Sequence, residues 1–291
     1  MMSVELISEQ QRPTLETVVR RIDGISTLPH VALRVMEVAN DLDSNAVDLK
    51  QVVETDAALS ARILRCVNSS AYAIRREITS LQQAIAYLGL RQVRNLAMTA
   101  TVSALFHKDD RIGPYCRSQL WQHSVSVGIC ARMIAMRQKM NNFEEAFLAG
   151  LLHDIGIVLE DQHAHMAFVA VIQSLDQTRT LAEVERSHLG FDHTTLGEKV
   201  ASIWRFPEAA KASIRHHHAS VGYRGAHSDI VRCVEVANLI CTLKGIPSVG
   251  LKLVKISQPA LAGLSLTRED ITVLAADLDQ EIAAGASLFQ I

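Results

Sequence analysis

Apolar residues recur at helical spacing along almost the whole chain, and this periodicity constrains the fold more than any other feature. In residues 29–40 and 56–68 they form stripes on one side of a helix with 3.6 residues per turn. The stripes consist of Val31, Val35, Val38 and Ala39, and of Leu59, Ile63, Leu64 and Val67. Signals for β-strands are nearly absent. Since such helices need neighbours to cover their apolar faces, the sequence predicts an all-α, multi-helix bundle.

Composition narrows the class of protein further. The chain has 291 residues, 48% of them hydrophobic, which is enough for one large core or two closely packed ones. A formal net charge of -2 gives no overall signal for binding nucleic acid or an anionic membrane. The five cysteines form no CxxC pair, as is typical of reduced core residues. With no signal peptide or membrane-spanning run visible, we expect a cytoplasmic protein without a membrane partner.

The most polar, turn-prone interruption of the first half is the stretch HKDDRIGP at residues 107–114. We therefore predict an N-terminal helical subdomain at residues 14–110, a second subdomain at 115–245 and a C-terminal helical extension at 246–291. The extension has a further seam at residues 265–269. Helices of the second subdomain are predicted at about residues 117–138, 144–160, 164–176, 192–205, 207–218 and 229–243.

Six polar residues of the second subdomain lie on helix faces that should otherwise be buried. They are His123, His153, Asp154, His193, His216 and His217. His123, for instance, shares a stripe with Val127 and Ile134. An ionised carboxylate on such a face requires a partner. We therefore expect these six side chains to converge, and we assign His218 and His227 to loops or to the surface.

Imidazoles and one carboxylate that converge from several helices suit a borderline metal ion. Iron, manganese or zinc would accept this donor set, whereas so many nitrogen ligands disfavour magnesium. His153 and Asp154 are adjacent, and neighbouring positions point about 100° apart around a helix, so the carboxylate could reach sideways and bridge two ions. The alternative is a hydrogen-bonded network of the same residues without a metal.

Several longer motifs resemble known families. LLHDIG at residues 151–156, with His123 upstream and HHH at residues 216–218 downstream, is similar to the signature of HD-type metal-dependent phosphohydrolases. The N-terminal half resembles the HDOD family, and the likeness extends over about residues 14–220. Its motifs are LPHVALRVMEVAND at residues 28–41, DAALSARILRCVNSSAY at 56–72 and ITSLQQAIAYLGLRQVRNLAM at 78–98.

The HDOD resemblance implies an HD-domain-like helical fold, similar to that of the HD-GYP phosphodiesterases, which hydrolyse cyclic di-GMP at an iron or manganese centre. HDOD proteins generally act as signalling output modules without established catalysis, and fold likeness does not transfer activity. Carried over residue by residue, the HD-GYP pattern implies the six residues above as metal ligands.

Two departures from the HD-GYP pattern count against turnover. Ile157 stands where those enzymes carry a lysine, and Asn238 stands where an aspartate ligand is expected, so Asn238 is at most a weak ligand. The GYP segment is missing as well. With Asp154 as the one carboxylate among the implied ligands, a second divalent ion should bind weakly, and we expect a mononuclear centre rather than a full dinuclear one.

Two functional hypotheses follow from these observations. The first is a bacterial signalling or regulatory protein with a degenerate HD-type metal site, whose partner is an unknown signalling protein or a small phosphorylated ligand. The second is a metal-dependent phosphohydrolase acting on a nucleotide or a cyclic dinucleotide. No catalytic residue is assigned, since no general acid is evident once Ile157 replaces lysine. A purely structural helical scaffold is the remaining possibility.

Overall fold

A computed structural model describes residues 13–24, 31, 34–35, 37–38, 41, 44–68, 77–107, 111–176, 178–254 and 257–284. It confirms the all-α prediction, because the strands in this part of the chain are limited to one short hairpin. The hairpin pairs β1 (Arg111–Ile112) with antiparallel β2 (Tyr115–Cys116). It lies within the predicted interruption at residues 107–114 and directly after it; residues 108–110 lie outside the described residues.

The N-terminal helices are α1 (Leu15–Gly24), α2 (Ala46–Glu54), α3 (Ala57–Val67), α4 (Leu81–Leu88) and α5 (Leu90–Val102), followed by a 3-10 turn at Ser103–Phe106. The helix predicted at residues 56–68 is confirmed: Asp56 caps α3 by accepting the Leu59 N–H at 2.9 Å. The described residues from 31 to 38 are helical too, and Val35 is fully buried. Ala39 of the predicted stripe lies outside the described residues.

The remaining helices follow the hairpin. They are α6 (Arg117–Arg137), α7 (Phe143–Leu152), α8 (Ile155–His163), α9 (His165–Gln173), α10 (Leu181–Leu189), α11 (His193–Ile203), α12 (Glu208–His216), α13 (Ser228–Leu243), α14 (Gln258–Gly263) and α15 (Arg268–Ala284), with a 3-10 turn at Ser220–Gly222. The long helix α6 packs against α7 and α13. A Cβ atom at Gly150 of α7 would lie 2.8 Å from the Gly128 Cα of α6, so both glycines are needed for this close approach.

The single helix predicted at about residues 144–160 is two helices. His153 ends α7 as its C-cap, and Asp154 begins α8 as its N-cap with φ −101° and ψ 17°. Gly156 follows at once, and a Cβ atom there would collide with the carbonyl oxygen of His193. The backbones of α8 and α11 therefore touch, and the break at His153 and Asp154 turns the chain toward α11.

The N-terminal helices pack directly on the later ones. Helix α1 contacts α8 and α11, and the guanidinium of Arg21 donates to the His163 carbonyl oxygen at 3.1 Å. Asn95 of α5 donates to the Glu144 carboxylate of α7 at 2.8 Å. Buried apolar residues from both regions belong to one continuous core. The division into subdomains at residues 14–110, 115–245 and 246–291 stays a prediction.

Within the described ranges no single helix is both long and apolar enough to cross a membrane. The segments Phe143–His163 and His165–Gln173 together have the length and composition of a membrane span, but the chain bends by 114° between them.

Candidate metal centre

The Asp154 carboxylate lies at the point where the histidine-bearing helix ends meet. It is 2% exposed, and four imidazoles face its two oxygens. On the Oδ2 side, the Nε2 atoms of His153 and His123 are 3.1 and 3.5 Å away. On the Oδ1 side, the Nε2 atoms of His217 and His193 are 3.2 and 3.6 Å away. Asp154 is thus shared by two clusters of nitrogen and oxygen donors.

We call these clusters the sealed group (His123, His153 and Asp154) and the cavity group (Asp154, His193, His217 and His218). In each of them the candidate ligand atoms lie within 4.8 Å of one another. The side chains of the sealed group are at most 2% exposed. The cavity group lines a cavity of about 320 Å³, which His123 and His153 do not reach.

Two of these imidazoles are oriented by hydrogen bonds to carbonyl groups in the last turns of their helices. His153 Nδ1–H donates to the Gly150 carbonyl at 2.7 Å, at the end of α7. His217, the C-cap of α12, faces the Ser213 and Ile214 carbonyls with Nδ1, each at 3.1 Å. A carbonyl oxygen can only accept a hydrogen bond, so these contacts place the proton on Nδ1 and fix the tautomer. In the neutral form, the Nε2 lone pair of both residues then faces Asp154.

His123 and His193 are oriented by other parts of the chain. The Nδ1–H of His123 donates to the Ile246 carbonyl at 2.6 Å, from the segment that follows α13. The Nδ1–H of His193 donates to Glu185 Oε2 at 2.6 Å, and the same oxygen accepts the His193 backbone N–H at 3.0 Å. Hydrogen bonds of this kind behind an imidazole are typical of metal-binding histidines, because they hold the ring and raise its basicity.

A buried pair of carboxyl groups lies behind His193. Glu185 and Glu160 are both fully buried and lie beside each other. Burial, together with the charge and hydrogen bond of Glu185, raises the pKa of Glu160 well above its usual range. This raised pKa disfavours a second buried negative charge beside Glu185, which accepts the two N–H groups of His193.

His123 and His193, on opposite sides of Asp154, have pKa values shifted in opposite directions, and burial lowers the pKa of His217 as it does that of His123. Burial, reinforced by the neighbouring His153, lowers the pKa of His123 to about 4. Burial also opposes the charged form of His193, but the charge and hydrogen bond of Glu185 outweigh it and raise the pKa of His193 to about 9. Burial alone would raise the pKa of Asp154, yet His153 and His217 hold it well below the usual range. At neutral pH the metal-free centre therefore contains an ionised Asp154 and a protonated His193.

The donor set fits a divalent metal ion. Asp154 Oδ1 and His217 Nε2 are buried and lie 3.2 Å apart without the geometry of a hydrogen bond, so two atoms that carry lone pairs face each other, an arrangement that a cation between them stabilises. The Nε2 atoms of His193 and His218 face each other at 3.0 Å, and those of His123 and His153 at 3.3 Å. A tetrahedral ion with bonds of about 2.0–2.1 Å separates its ligand atoms by roughly 3.3–3.4 Å, close to these values. The structure therefore contains His/Asp clusters that could bind a metal.

The structure brings five of the six predicted ligands together: His123, His153, Asp154, His193 and His217. The sixth, His216, does not point inward as predicted. It is the last residue of α12, is only partly buried, and stacks on Tyr223 with the ring centres 5.0 Å apart. Its pKa is lowered, by burial first and then by the neighbouring Arg215. The role of the other five as metal ligands stays a prediction.

His218 takes the place predicted for His216, and its assignment to a loop or the surface was incomplete. Although part of the residue is solvent-exposed, its imidazole faces His193 and stacks on His217 at 3.9 Å. The physical reason is that α12 ends at His216, so the chain turns and brings the second and third histidines of HHH to the centre. Periodicity read past the end of a helix cannot place such residues.

Asn238 and Ile157, the two departures from the HD-GYP pattern, lie at different depths. Asn238 lines the cavity, and its amide oxygen accepts the Thr242 hydroxyl at 3.3 Å. Ile157 is fully buried in the core. The sequence reading missed Glu160, Glu185 and the Ile246 carbonyl. Helical spacing could have identified the two glutamates, since both lie on otherwise apolar helix faces. It could not have identified the backbone carbonyl of Ile246.

Comparison with known proteins places these observations in a family. A family model described as "HDOD domain" matches residues 25–220, well over half of the chain. An HDOD domain protein with unknown function from Geobacter sulfurreducens is similar in structure, with 27% sequence identity and a TM-score of 0.76, over 94% of this chain and 96% of that chain.

Two further solved structures share the fold at lower identity. A "Putative signal transduction protein" from Marinobacter aquaeolei VT8 is 24% identical with a TM-score of 0.75, over 95% of this chain and 63% of that chain. A "Putative phosphohydrolase" from Shewanella amazonensis SB2B is 21% identical with a TM-score of 0.71, over 94% of this chain and 97% of that chain. At these identities the likeness establishes the fold alone.

A curated relative matches a shorter part of its own length. It is an "Uncharacterized protein" of Treponema pallidum (strain Nichols), 23% identical over 238 residues, which are 80% of this chain and 45% of that protein. The chain thus spans about half the length of the curated relative it matches.

Proposed function

Since the chain belongs to the HDOD family, we propose that it is a regulatory protein of bacterial signal transduction whose His/Asp centre binds a divalent metal ion. A small phosphorylated ligand then binds to the ion at this centre. The observation that carries this proposal is the convergence of three imidazoles and one carboxylate at the wall of a cavity, with their candidate ligand atoms within 4.8 Å of one another. Such a set of buried nitrogen and oxygen atoms is stabilised by an ion that engages all of them.

The cavity group is the proposed position of the ion. It offers three imidazoles and one carboxylate, which completes a tetrahedral set, whereas the sealed group offers two imidazoles and the same carboxylate. The single negative charge of Asp154 balances one divalent ion better than it balances two such ions, which supports a mononuclear centre. Nitrogen-rich donors favour iron, manganese or zinc. Asn238 lies at the cavity as a neutral group and adds no charge for a second ion.

A regulatory role accounts better than catalysis for the rest of the site. A bound ion lowers the pKa of water and orients a phosphoryl group, but turnover also requires an acid for the leaving group. The lysine implied by the HD-GYP pattern is replaced by the fully buried Ile157. The N-terminal helices are the proposed contact for a partner signalling protein. Tyr87 and Val47, 59% and 57% exposed on the neighbouring helices α4 and α2, support this placement.

The alternative is a metal-dependent phosphohydrolase that tolerates these departures. It is favoured by one observation, the opening of the cavity group onto a space large enough for a small ligand. Both proposals place the metal in the same group, so they differ in turnover rather than in metal binding.

The test begins with the metal content of protein purified without chelator and then loaded with iron, manganese or zinc. We expect about one ion per chain, lost in His217→Ala and retained in His216→Ala, which is the matched control. Absence of metal under all loading conditions would contradict the proposal. Turnover of a phosphoester panel, abolished by His153→Ala and by Asp154→Ala, would instead establish the enzyme.

A further inference from the structure

The cavity beside the cavity group differs strongly from one wall to the other. Its volume of about 320 Å³ lies at the lower end of the range for small-molecule sites, roughly 300–1,000 Å³. Asp154, His193, His217 and His218 occupy one end. Any molecule that fills this space meets the metal-binding donors directly. The volume of the cavity also limits its occupant to one small molecule.

Two arginines line the cavity next to the metal-binding donors. Arg186 donates to the Asp192 carboxylate, and Arg215 donates to the Thr194 hydroxyl at 2.7 Å. Thr194 in turn donates to Asp192 at 2.7 Å, so one connected network holds both guanidinium groups at the start of α11. Arg186 and Arg215 keep 53% and 38% of their side-chain surface exposed. Guanidinium groups fixed in this way suit the planar recognition of phosphate oxygens.

Another part of the lining is apolar. It comes mainly from the segment between α13 and α14, with a contribution from the start of α10. The residues are Val249, Leu251, Leu253, Val254, Leu181 and Ala182. The same segment supplies the Ile246 carbonyl that orients His123, and Gly250 lies against the Pro114 backbone. The apolar wall is therefore held in place by contacts with the helical core.

The charges of the lining make anion binding depend on the metal. Three carboxylates, those of Asp154, Asp192 and Glu235, and two guanidinium groups line the cavity, so the carboxylates outnumber the guanidinium groups. A divalent ion at the cavity group adds two positive charges beside these guanidinium groups. Electrostatics then favour a phosphate group, whose oxygens can engage both the ion and the guanidinium groups.

From this arrangement we infer that the cavity binds a phosphate monoester whose organic part is uncharged and no larger than one nucleoside. The phosphate lies between the ion, Arg215 and Arg186, and the organic part lies against Leu251 and Leu253. This inference rests on the proposed metal centre and names its ligand class. A cyclic dinucleotide, with two nucleosides and two phosphodiesters, is too large for the cavity.

The test is calorimetric titration of manganese-loaded full-length protein with adenosine 5′-monophosphate, adenosine, inorganic phosphate and cyclic di-GMP. We expect the monophosphate to bind at least about tenfold more tightly than adenosine or cyclic di-GMP, since charge-assisted hydrogen bonds go to the phosphate. Removing the metal with EDTA should abolish this preference. Arg215→Met and Arg186→Met should each weaken monophosphate binding by about ten- to hundredfold.

Two further variants separate the parts of the site. Leu253→Ala should weaken binding of the monophosphate several-fold and leave inorganic phosphate unchanged. Arg137→Met, an arginine paired with Asp270 away from the cavity, is the matched control and should leave both affinities unchanged. Circular dichroism and metal content verify that each variant is folded and loaded.

The outcomes distinguish this inference from the proposed function. Protein that binds none of manganese, iron and zinc contradicts the metal centre itself. Protein that binds manganese normally but prefers cyclic di-GMP, or ignores the monophosphate, overturns the ligand class and leaves the metal centre intact. Loss of phosphate binding in Arg137→Met to the same extent as in Arg215→Met would also overturn it.

Discussion

The sealed group and the cavity group share one carboxylate but differ in nearly every other property. The sealed group is enclosed by α6, α7 and the segment after α13, and its three side chains are at most 2% exposed. The cavity group is built at the ends of α11 and α12 and opens onto a cavity with arginines in its wall. Its histidine His193 is paired with a buried carboxylate, whereas His123 is paired with a neutral carbonyl.

This difference shows how one aspartate can serve two purposes. On the sealed side, the buried imidazoles of His123 and His153 are oriented neighbours of Asp154 and hold the junction of α7 and α8. On the cavity side, a negative second partner, Glu185, makes His193 a stronger base, and the open space admits a ligand. The sealed group therefore behaves as part of the core, and the cavity group has the features of a binding site.

The largest effect should come from removing the carboxylate that the two groups share. Asp154→Ala should abolish metal binding and lower the free energy of unfolding by about 3–5 kcal/mol, as is typical when one partner of a buried charge pair is removed. Protonated His193 would then be left without one of its two acidic neighbours. Elemental analysis and urea denaturation measure the two quantities. Wild-type stability in this variant would show that the two groups are not joined through Asp154.

The second prediction concerns pH, measured as the free energy of unfolding of metal-free protein in EDTA. The pKa of His193 is raised to about 9, so its contribution is fully present below the unfolded value near 6.5 and is lost as the pH rises through 9. The pKa of His123 is lowered to about 4, so its contribution is present above 6.5 and is lost as the pH falls through 4. Each shift corresponds to roughly 3 kcal/mol.

The matched control for the pH prediction is Glu185→Gln. It removes the charge that raises the pKa of His193, so the alkaline loss should shrink while the acid loss from His123 stays. Equal changes at both ends of the pH range would contradict the separation of the two groups. Histidine titrations followed by NMR provide an independent measurement of the two pKa values.

The third prediction separates the groups by metal affinity. His218→Ala removes one donor from the cavity group and should weaken metal binding by about ten- to hundredfold, with little loss of stability because His218 is partly exposed. His123→Ala should do the reverse: it creates a defect in the core and leaves the four cavity donors intact. Metal titration and thermal unfolding of both variants give the comparison. The same ranking of the two variants in both measurements would rule out the distinction.

The smallest effect is expected at His216, beside His217 and His218 in the sequence. Its ring stacks on Tyr223 and takes no part in either group. His216→Ala should therefore keep full metal content and change the free energy of unfolding by less than about 1 kcal/mol. Loss of metal in this variant would mean that α12 continues beyond His216 in solution, so that His216 rather than His218 faces the centre.

Much of this fold could be predicted from the sequence because the apolar periodicity and the capping residue of a helix lie within the helix's own segment. The stripe at residues 56–68 predicts α3, whose capping residue Asp56 is also recognisable. The convergence of His123, His153, Asp154 and His193 was predictable too, since each polar side chain lies on a face that must be buried. The motif LLHDIG added the resemblance to HD proteins, and the matching family model agrees with it.

Features that depend on where a helix stops were not accessible in the same way. The exchange of His216 for His218 follows from the end of α12 at His216, and the break between α7 and α8 follows from the contact of Gly156 with the His193 backbone. The charge state of the centre was hidden as well. It depends on the contact between Glu160 and Glu185, which raises the pKa of Glu160 and joins residues 25 positions apart in the sequence.

The sequence by itself determined that this chain is helical, that it belongs with HDOD proteins, and that imidazoles and one acid meet inside it. These properties follow from local periodicity and short motifs, which each segment carries independently of the others. Only the tertiary structure decided which nitrogens face Asp154, which side of that carboxylate is open, and which arginines lie beside it. Those properties depend on distances between helix ends, and such distances are set by the packing of distant segments rather than by any one of them.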